Sequence, residues 1–248
     1  MDGLMADRVR AFLVHLACSA AVALTLAGLV FGVWYPVPLD MAVGVREIFL
    51  IVLCVDATLG PLITLVIYRK GKKGLAMDLA IVVILQVAAL LYGVCVVAEG
   101  RPVWIVFNVD RFDVAQATEI SAVNRDRAAS EYQGLSWTGP KWVGADIPED
   151  PAERTDLMFN AASGGADLPH RPDLYRPLSL FSDAMRTRSK PMEELRAFNN
   201  EHNVARVMKQ WPAATSWLPL SARNQDMTVL LDGEQQVVAV VDLRPWAE

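Results

Sequence analysis

The chain has 248 residues, 53% of them hydrophobic, and a formal net charge of −5 at pH 7. Nearly all of the apolar excess lies before residue 101, and the remainder has the mixed charges of a water-soluble domain. From residue 99 onward there are 16 basic and 22 acidic residues, and an acidic domain without a basic stripe argues against nucleic acid as a partner. We therefore expect a membrane α-helical part with three transmembrane helices in residues 1–100, followed by a C-terminal α/β (α+β) domain in residues 101–248.

Three apolar runs occupy most of the first part, at about residues 11–34, 45–68 and 79–98. Each is close to the length of about 20 residues that a helix needs to cross a hydrocarbon core about 30 Å thick. The first run is too long for the core of a signal peptide, and the Trp-Tyr-Pro stretch at residues 34–36 is not a cleavage motif. We interpret all three runs as retained transmembrane helices.

The basic residues near these runs predict an orientation. Four of the six residues at positions 69–74 are Lys or Arg, and Arg8 and Arg10 precede the first run, whereas residues 35–43 contain neither type. Positive charge in short loops marks the cytoplasmic side of a membrane. The pattern predicts a multi-pass inner-membrane protein with a cytoplasmic N-terminus and, in a Gram-negative bacterium, a periplasmic C-terminal domain.

The second part mixes strand and helix signals. Segments rich in β-branched and aromatic residues predict strands at 103–109, 227–232 and 236–243. Asp232-Gly233 predicts a hairpin turn between the last two strands. Helices are predicted at residues 151–162, 173–188 and 192–200, and the Gly- and Pro-rich region 139–177 is expected to be loop-heavy.

The residue types that carry catalysis or bind metals are sparse in the second part. The cysteines Cys18, Cys54 and Cys95 all lie in the apolar runs, so no disulfide framework or zinc site of the CxxC type is expected there. Its two histidines, His170 and His202, lack a metal-ligand spacing, and there is no nucleophile elbow, Walker loop or GxGxxG motif. We predict no catalytic, cofactor-binding or metal-binding residues, and an enzyme is the disfavoured class.

The informative polar group lies inside the second apolar run. Asp56 is near the middle of that helix, where a carboxylate costs at least about 2.5–3.5 kcal/mol and must be neutral, paired or turned toward protein. Gln86 of the third run could reach it, whereas His15 of the first run differs in depth. Two interpretations stay open. Asp56 either forms an interhelical hydrogen bond worth about 0.6 kcal/mol, or meets a polar group on the helix of another membrane protein.

A stripe of small and polar residues continues from Asp56. Gly60 and Thr64 follow it at helical spacing on the same face, and small residues permit close helix approach. Pro61 removes one backbone donor and so either kinks the helix or leaves a polar notch. Such a stripe suits a docking groove for a partner helix, or it packs on the other two helices.

A second polar pair follows the first predicted strand. Asp110 and Arg111 are adjacent in sequence just after the stretch of residues 103–109. They either pair locally in a turn or contact a partner, and exposed ion pairs usually contribute little to stability.

The order of motifs over the first half resembles a known family, the TfpX/TfpZ type IV pilin accessory proteins. The resemblance is carried by Trp34-Tyr35-Pro36, Asp56 with Gly60-Pro61-Leu62 and Thr64, Lys73 with Asp78-Leu79, Leu85-Gln86, Ala89-Leu90, Tyr92-Gly93, Arg101-Pro102, Phe107 and Val109-Asp110-Arg111-Phe112. Beyond residue 112 it is limited to a closing Pro245-Trp246 and a general match in length.

This resemblance implies an inner-membrane accessory protein or chaperone that is needed for the assembly of one particular major pilin and has no known catalysis. The implied partners are the transmembrane helix and periplasmic head of that cognate type IV major pilin, membrane lipids, and the pilus assembly machinery. Together with the residue patterns above, it nominates nine partner-binding residues: Asp56, Gly60, Pro61, Thr64, Gln86, Tyr92, Asp110, Arg111 and Phe112. No cofactor is implied.

Two other functions remain as alternatives. One is a ligand-sensing membrane protein with a periplasmic binding domain, although the predicted cytoplasmic side offers only a short tail and a basic loop for output. The other is a small transporter that uses Asp56 as a proton carrier, although three helices with one central acid are too few for a pathway unless the protein oligomerises.

Overall fold

The computed structural model describes residues 2–247, which form two compact units. One unit contains the chain up to Val33 together with Val45–Glu99, and the other contains Trp34–Gly44 together with the chain from Gly100 onward. We call them the helical unit and the sheet unit. The segment between the first two long helices therefore belongs to the sheet unit, although it precedes the predicted boundary at residue 100.

The helical unit consists of three long helices. Helix α1 spans Asp2–Leu29 and continues as a π-helical turn over Val30–Trp34; α2, Leu39–Val43, lies in the connecting segment; α3 spans Val45–Ile67 and α4 spans Leu75–Glu99. The three long helices have the length and apolar composition needed to cross a membrane. Helices α1 and α4 begin earlier than the apolar runs because backbone hydrogen bonding continues through polar residues that hydropathy does not mark.

The sheet unit is built on one mixed sheet that forms a half-barrel. Its strands are β1 Pro102–Asn108, β2 Arg111–Gln116, β3 Lys141–Ala145, β4 Tyr175–Pro177, β5 Lys190–Pro191, β6 Ser216–Ser221, β7 Met227–Leu231 and β8 Val237–Val241. The order is β4-β3-β1-β2-β6-β7-β8, with β5 beside β6. The pairs β1/β3 and β2/β6 are parallel and the others are antiparallel. The helices are α5 Ala122–Arg127, α6 Ser130–Gln133, α7 Pro151–Ala162, α8 Ser182–Arg188 and α9 Glu201–Gln210.

Several local predictions are confirmed. The three predicted strands correspond to β1, β7 and β8, and the helix predicted at 151–162 is α7. The hairpin between β7 and β8 is closed by Asp232, whose carboxylate accepts hydrogen bonds from the amides of Glu234 (2.9 Å) and Gln236 (2.8 Å). Turn chemistry and strand composition act within a few residues, so the sequence alone reveals them.

Two helix predictions in the sheet unit are wrong. Only residues 182–188 of the predicted helix 173–188 are α-helical, because Pro177 cannot donate to a helix and instead ends the short strand β4. The segment 192–200 forms a 3₁₀ helix over Met192–Ala197. Asn200 then caps α9, which the sequence did not predict, by accepting a hydrogen bond from the His202 amide at 2.9 Å.

Strand β6 was also missed, because it contains Pro219. On one side of β6, two strands pair with different parts of it: β5 pairs with residues 216–217, and β2 pairs with residues 220–221. Neither neighbour pairs with Pro219, so its missing N–H costs no hydrogen bond on that side.

The connecting segment is packed into the sheet unit. Leu39 and Ala42 are buried in the same cluster as Phe112 and Leu220. The amide of Asn224 donates to the carbonyl of Ala42 at 2.9 Å. The side-chain amide of Asn224 donates to the carbonyl of Met41 at 3.1 Å. These bonds explain why the segment is part of this unit.

Candidate functional site

The three long helices surround an open cavity of about 700 Å³, which we call the helix groove. Most of its lining is apolar, and its uncharged polar groups and central carboxyl group are contributed by His15, Ser19, Asp56, Thr64, Tyr68 and Gln86. One end carries the charged residues Asp7, Arg10 and Lys70. Four of the nine predicted partner-binding residues, namely Asp56, Gly60, Thr64 and Gln86, lie in or directly beside this groove.

Helix α1 is joined to α3 by polar contacts on one side of the groove. The Nδ1 atom of His15 lies 2.6 Å from the hydroxyl of Thr64, which is almost completely buried. The Arg8 Nε donates to the carbonyl of Tyr68 at 2.8 Å. Depth separates His15 from Asp56 as the sequence predicted, but its pairing with Thr64 was missed. The single histidine in an otherwise charge-free run is the signal that could have revealed it.

Helix α3 is joined to α4 through Gln86. Its Nε2 donates to the main-chain carbonyl of Asp56 at 3.1 Å. The Gln86 amide lies directly against Gly60, where an added Cβ would overlap it. Gln86 therefore reaches Asp56, as the spacing suggested, but the acceptor is the backbone carbonyl and not the carboxylate.

The Asp56 carboxylate is therefore not used in either of these interhelical contacts. It is half-buried, and it forms no hydrogen bond or ion pair with any residue in the range 2–247. It borders both the helix groove and a neighbouring cleft of about 400 Å³ between α3 and α4. In a hydrocarbon environment a carboxyl group of this kind would need a hydrogen-bond donor beside it.

The other predicted residues lie elsewhere. Pro61 is buried inside α3, which runs without a break from Val45 to Ile67. Tyr92 is 75% exposed on α4 and does not line the groove. A partner role for these residues remains a prediction.

The three predicted residues of the sheet unit have separate surroundings. Asp110 is exposed after β1, and the Arg111 side chain donates to Asp113 at 3.3 Å, so the adjacent acid-base pair is not the one that forms. Phe112 is completely buried against Phe107 and Trp142. Its position makes it part of the core of the sheet, and any effect on a partner would be indirect.

The sheet unit has its own polar cavity of about 300 Å³, lined by Asp113, Glu119, Asp167, His170 and Arg223 among others. Burial raises the pKa of Asp113, although Arg111 opposes the shift. Burial would also raise the pKa of Glu119. That effect is outweighed by His170 at 3.5 Å and by the Gln116 amide at 2.8 Å, so the pKa of Glu119 lies below its usual value.

This cavity offers no metal centre. Among residues 2–247, no group of three or more His, Cys, Asp or Glu side chains is placed to hold a metal ion. His170 lies beside Glu119 with 26% of its side chain exposed. Within the cavity Glu119 pairs with His170, whereas Asp113 pairs with Arg111 and Asn108 beside it.

Similar proteins were found among curated sequences and family models. The family model for the fimbrial assembly protein FimB matches residues 4–44. The fimbrial assembly proteins of serogroups E1 and I of Dichelobacter nodosus are each 26% identical over 239 residues, covering 93% of both chains. The fimbrial assembly protein of serogroups C1 and C2 of the same organism is 32% identical over 109 residues, which is 43% of this chain and 83% of that protein.

These names refer to fimbrial assembly and not to TfpX/TfpZ, so they agree with the sequence resemblance at the level of pilus assembly. No solved structure matches the chain.

Proposed function

This chain belongs to the fimbrial assembly protein family, and we propose that it is an inner-membrane accessory protein that binds and stabilises a cognate type IV major pilin. In this proposal α1, α3 and α4 cross the membrane, the N-terminus is cytoplasmic, and the sheet unit is periplasmic. The protein has no catalytic step of its own and promotes pilus assembly by holding its client. Lipids surround the helices, and the pilus assembly machinery receives the client from the complex.

The observation that carries this proposal is the unpaired Asp56 carboxylate in the helix groove. The helices are joined without it: His15 meets Thr64, and the Nε2 atom of Gln86 meets the Asp56 carbonyl, whereas the buried Oε1 atom of Gln86 has no partner. Structural packing therefore does not need the Asp56 side chain. A group that is costly in the membrane and unused by the fold is a candidate for function.

The groove suits one additional helix. Its walls include Val14, Val22, Val83 and Val87, so an apolar helix can lie against them, while a donor on that helix can neutralise Asp56. A pilin in the inner membrane is a single hydrophobic helix with a periplasmic head, which matches that occupant. We propose that the client helix presents a hydrogen-bond donor or an amine at the depth of Asp56.

Photo-crosslinking in the native host tests the groove. A photoreactive amino acid at Val83 would lie in the groove, and one at Ile81 provides a matched control, because the two positions are about 160° apart around α4 and are 48% and 50% exposed. We expect an adduct with the major pilin from position 83 and at least about a fivefold lower yield from position 81. Equal yields, or no pilin adduct from position 83, would contradict the proposal.

Substitution of Asp56 tests the role of its charge. We expect Asp56→Asn to accumulate normally while surface pili and the pilin adduct from position 83 fall together. Gln86→Ala is the control for packing, because it removes the bond between α3 and α4 and is expected to lower the amount of protein itself. Normal piliation with Asp56→Asn would show that the carboxylate is not needed for pilus assembly. A pH-driven flux in proteoliposomes that is lost with Asp56→Asn, without any pilin adduct in cells, would favour the proton carrier instead.

A further inference from the structure

The last strand of the sheet ends in an open edge. Strand β8, Val237–Val241, pairs with β7 on one side and is the last strand in the order of the sheet. Within residues 2–247, no strand pairs with its other side, and no backbone hydrogen bond is made there. The edge therefore presents unused N–H and C=O groups in extended geometry, which is the chemistry that another strand satisfies.

The side chains of β8 are packed like those of an internal strand. Val237 and Val240 lie against the hydrophobic cluster that contains Phe112. Val238 and Ala239 lie against the cluster on the other face of the sheet. Both faces of β8 are thus partly covered by core, and only the edge is open.

The other edge strands of this sheet carry protection that β8 lacks. Strand β4 has only three residues, including Arg176 and Pro177, and β5 consists of Lys190 and Pro191. Short length, charge and proline are the devices by which edge strands avoid pairing. In contrast, β8 has five consecutive aliphatic residues without a charge or a proline.

A groove lies beside the open edge. It has a volume of about 520 Å³ and is lined by Trp142, Leu178 and residues 236–239. Aliphatic side chains of an added strand could enter this space. The edge and the groove together specify an extended apolar segment as the occupant.

We propose that β8 pairs antiparallel with β8 of a second copy of this chain. A two-fold axis at Ala239 uses all five residues of both strands, and such a self-complementary contact closes as a dimer. The register places Gln236 of one copy opposite Asp242 of the other. The Oδ1 atom of Asp242 already accepts from Gln225 and Arg244 of its own chain, so the Gln236 amide meets the remaining oxygen, and no like charges face each other. The contact is smaller than a standard interface of about 1,600 Å², so it is reversible in dilute protein and is favoured when both copies share one membrane. The dimer requires no client in the helix groove.

Cysteine crosslinking of the full-length chain tests this pairing. In a background with Cys18, Cys54 and Cys95 replaced by alanine, Ala239→Cys places two thiols at the axis, and Arg176→Cys on β4 is the matched edge control. With a short bis-maleimide in membranes, we expect dimer yields at least about fivefold higher for Ala239→Cys than for Arg176→Cys. A folded Ala239→Cys protein that stays monomeric would overturn the proposal. An adduct with a different protein instead of a dimer would also overturn it and would assign the edge to another partner.

Changes of charge at the exposed residue Gln236 provide an independent test, and they are not expected to disturb folding. In the Ala239→Cys background, Gln236→Glu places like charges opposite each other and should lower the dimer yield about threefold or more, whereas Gln236→Lys places an opposite charge against Asp242 and should raise it. Equal yields for both variants would contradict the proposed register. Tryptophan fluorescence of each variant confirms that the sheet unit is folded.

Discussion

The two units of this protein leave different kinds of groups unsatisfied. In the helical unit, side-chain bonds join the helices, and the Asp56 carboxylate and the Oε1 atom of Gln86 are left without partners. In the sheet unit, the charged side chains form local pairs such as Arg171 with Asp173 at 2.6 Å, and an open backbone edge is left. The difference follows from the fold. Helices satisfy their own backbone and leave only side chains to find partners, whereas a sheet that does not close always has edges.

The sequence provides separate probes for the two units. All seven tryptophans lie in the sheet unit, whereas the three cysteines lie in the helical unit. Tryptophan fluorescence therefore follows unfolding of the sheet unit. The three cysteines are exposed on the folded helices, so unfolding of the helical unit is better followed by the far-ultraviolet circular dichroism of its long helices. The predictions below use this separation on the full chain in detergent micelles.

The largest effect is expected in the core of the sheet unit. Phe112→Ala removes a completely buried ring that contacts Phe107 and Trp142, and should lower the free energy of unfolding by about 3–5 kcal/mol. Tryptophan fluorescence during thermal or denaturant unfolding measures the change. Tyr92→Ala, at an exposed position of the helical unit, is the control and should leave that transition within about 0.5 kcal/mol of the unmodified protein. Equal shifts for the two variants would contradict the assignment of Phe112 to the core.

A smaller effect, confined to the helical unit, is expected from Gly60→Ala. The new Cβ overlaps the Gln86 amide at the end of its flexible side chain, which must swing away and lose its bond to the Asp56 carbonyl, so the change should cost about 1 kcal/mol. An earlier thermal loss of the helical circular dichroism signal with an unchanged tryptophan transition would show that only the helical unit is destabilised. The double variant Gly60→Ala with Gln86→Ala should be more stable than the sum of the single changes predicts, because the overlap is gone. Strict additivity would show that the two residues do not meet.

The contact between α1 and α3 should have a weaker effect. Thr64→Val keeps the shape but removes the hydroxyl that meets His15, and should cost about 0.6 kcal/mol, the average for interhelical hydrogen bonds in membranes. His15→Ala in the Thr64→Val background should add little, because the bond is already absent. A large further loss would mean that His15 has another essential partner.

The smallest effect concerns pH and the sheet unit alone. The pKa of Glu119 is lower in the folded protein than its ordinary value of 4.5, so its ionised form favours folding above about pH 4.5. This contribution is lost as the pH falls through the folded pKa. Melting curves followed by tryptophan fluorescence should therefore show a weaker acid dependence for Glu119→Gln than for the unmodified chain. An unchanged acid dependence would show that the Glu119–His170 contact has no effect on stability.

Some features of the candidate site could be predicted from the sequence and others could not. The spacing of Asp56, Gly60 and Thr64 on one helical face was visible in the sequence, because helical periodicity is local. The partners were less visible. Gln86 was found as a neighbour but with the wrong acceptor, and the bond between His15 and Thr64 was missed, because both depend on how the helices are rotated and packed.

The same contrast between local patterns and long-range contacts applies to the fold. The three apolar helices, the helix at Pro151–Ala162 and the hairpin at Asp232 could be predicted from the sequence, since length, hydropathy and turn chemistry act over short distances. Three other features became visible only in the folded protein: Trp34–Gly44 packs into the sheet unit, the Asp56 carboxylate is unpaired, and β8 lies at an open edge. These features depend on contacts between residues that are far apart in the chain, and local sequence patterns do not specify such contacts.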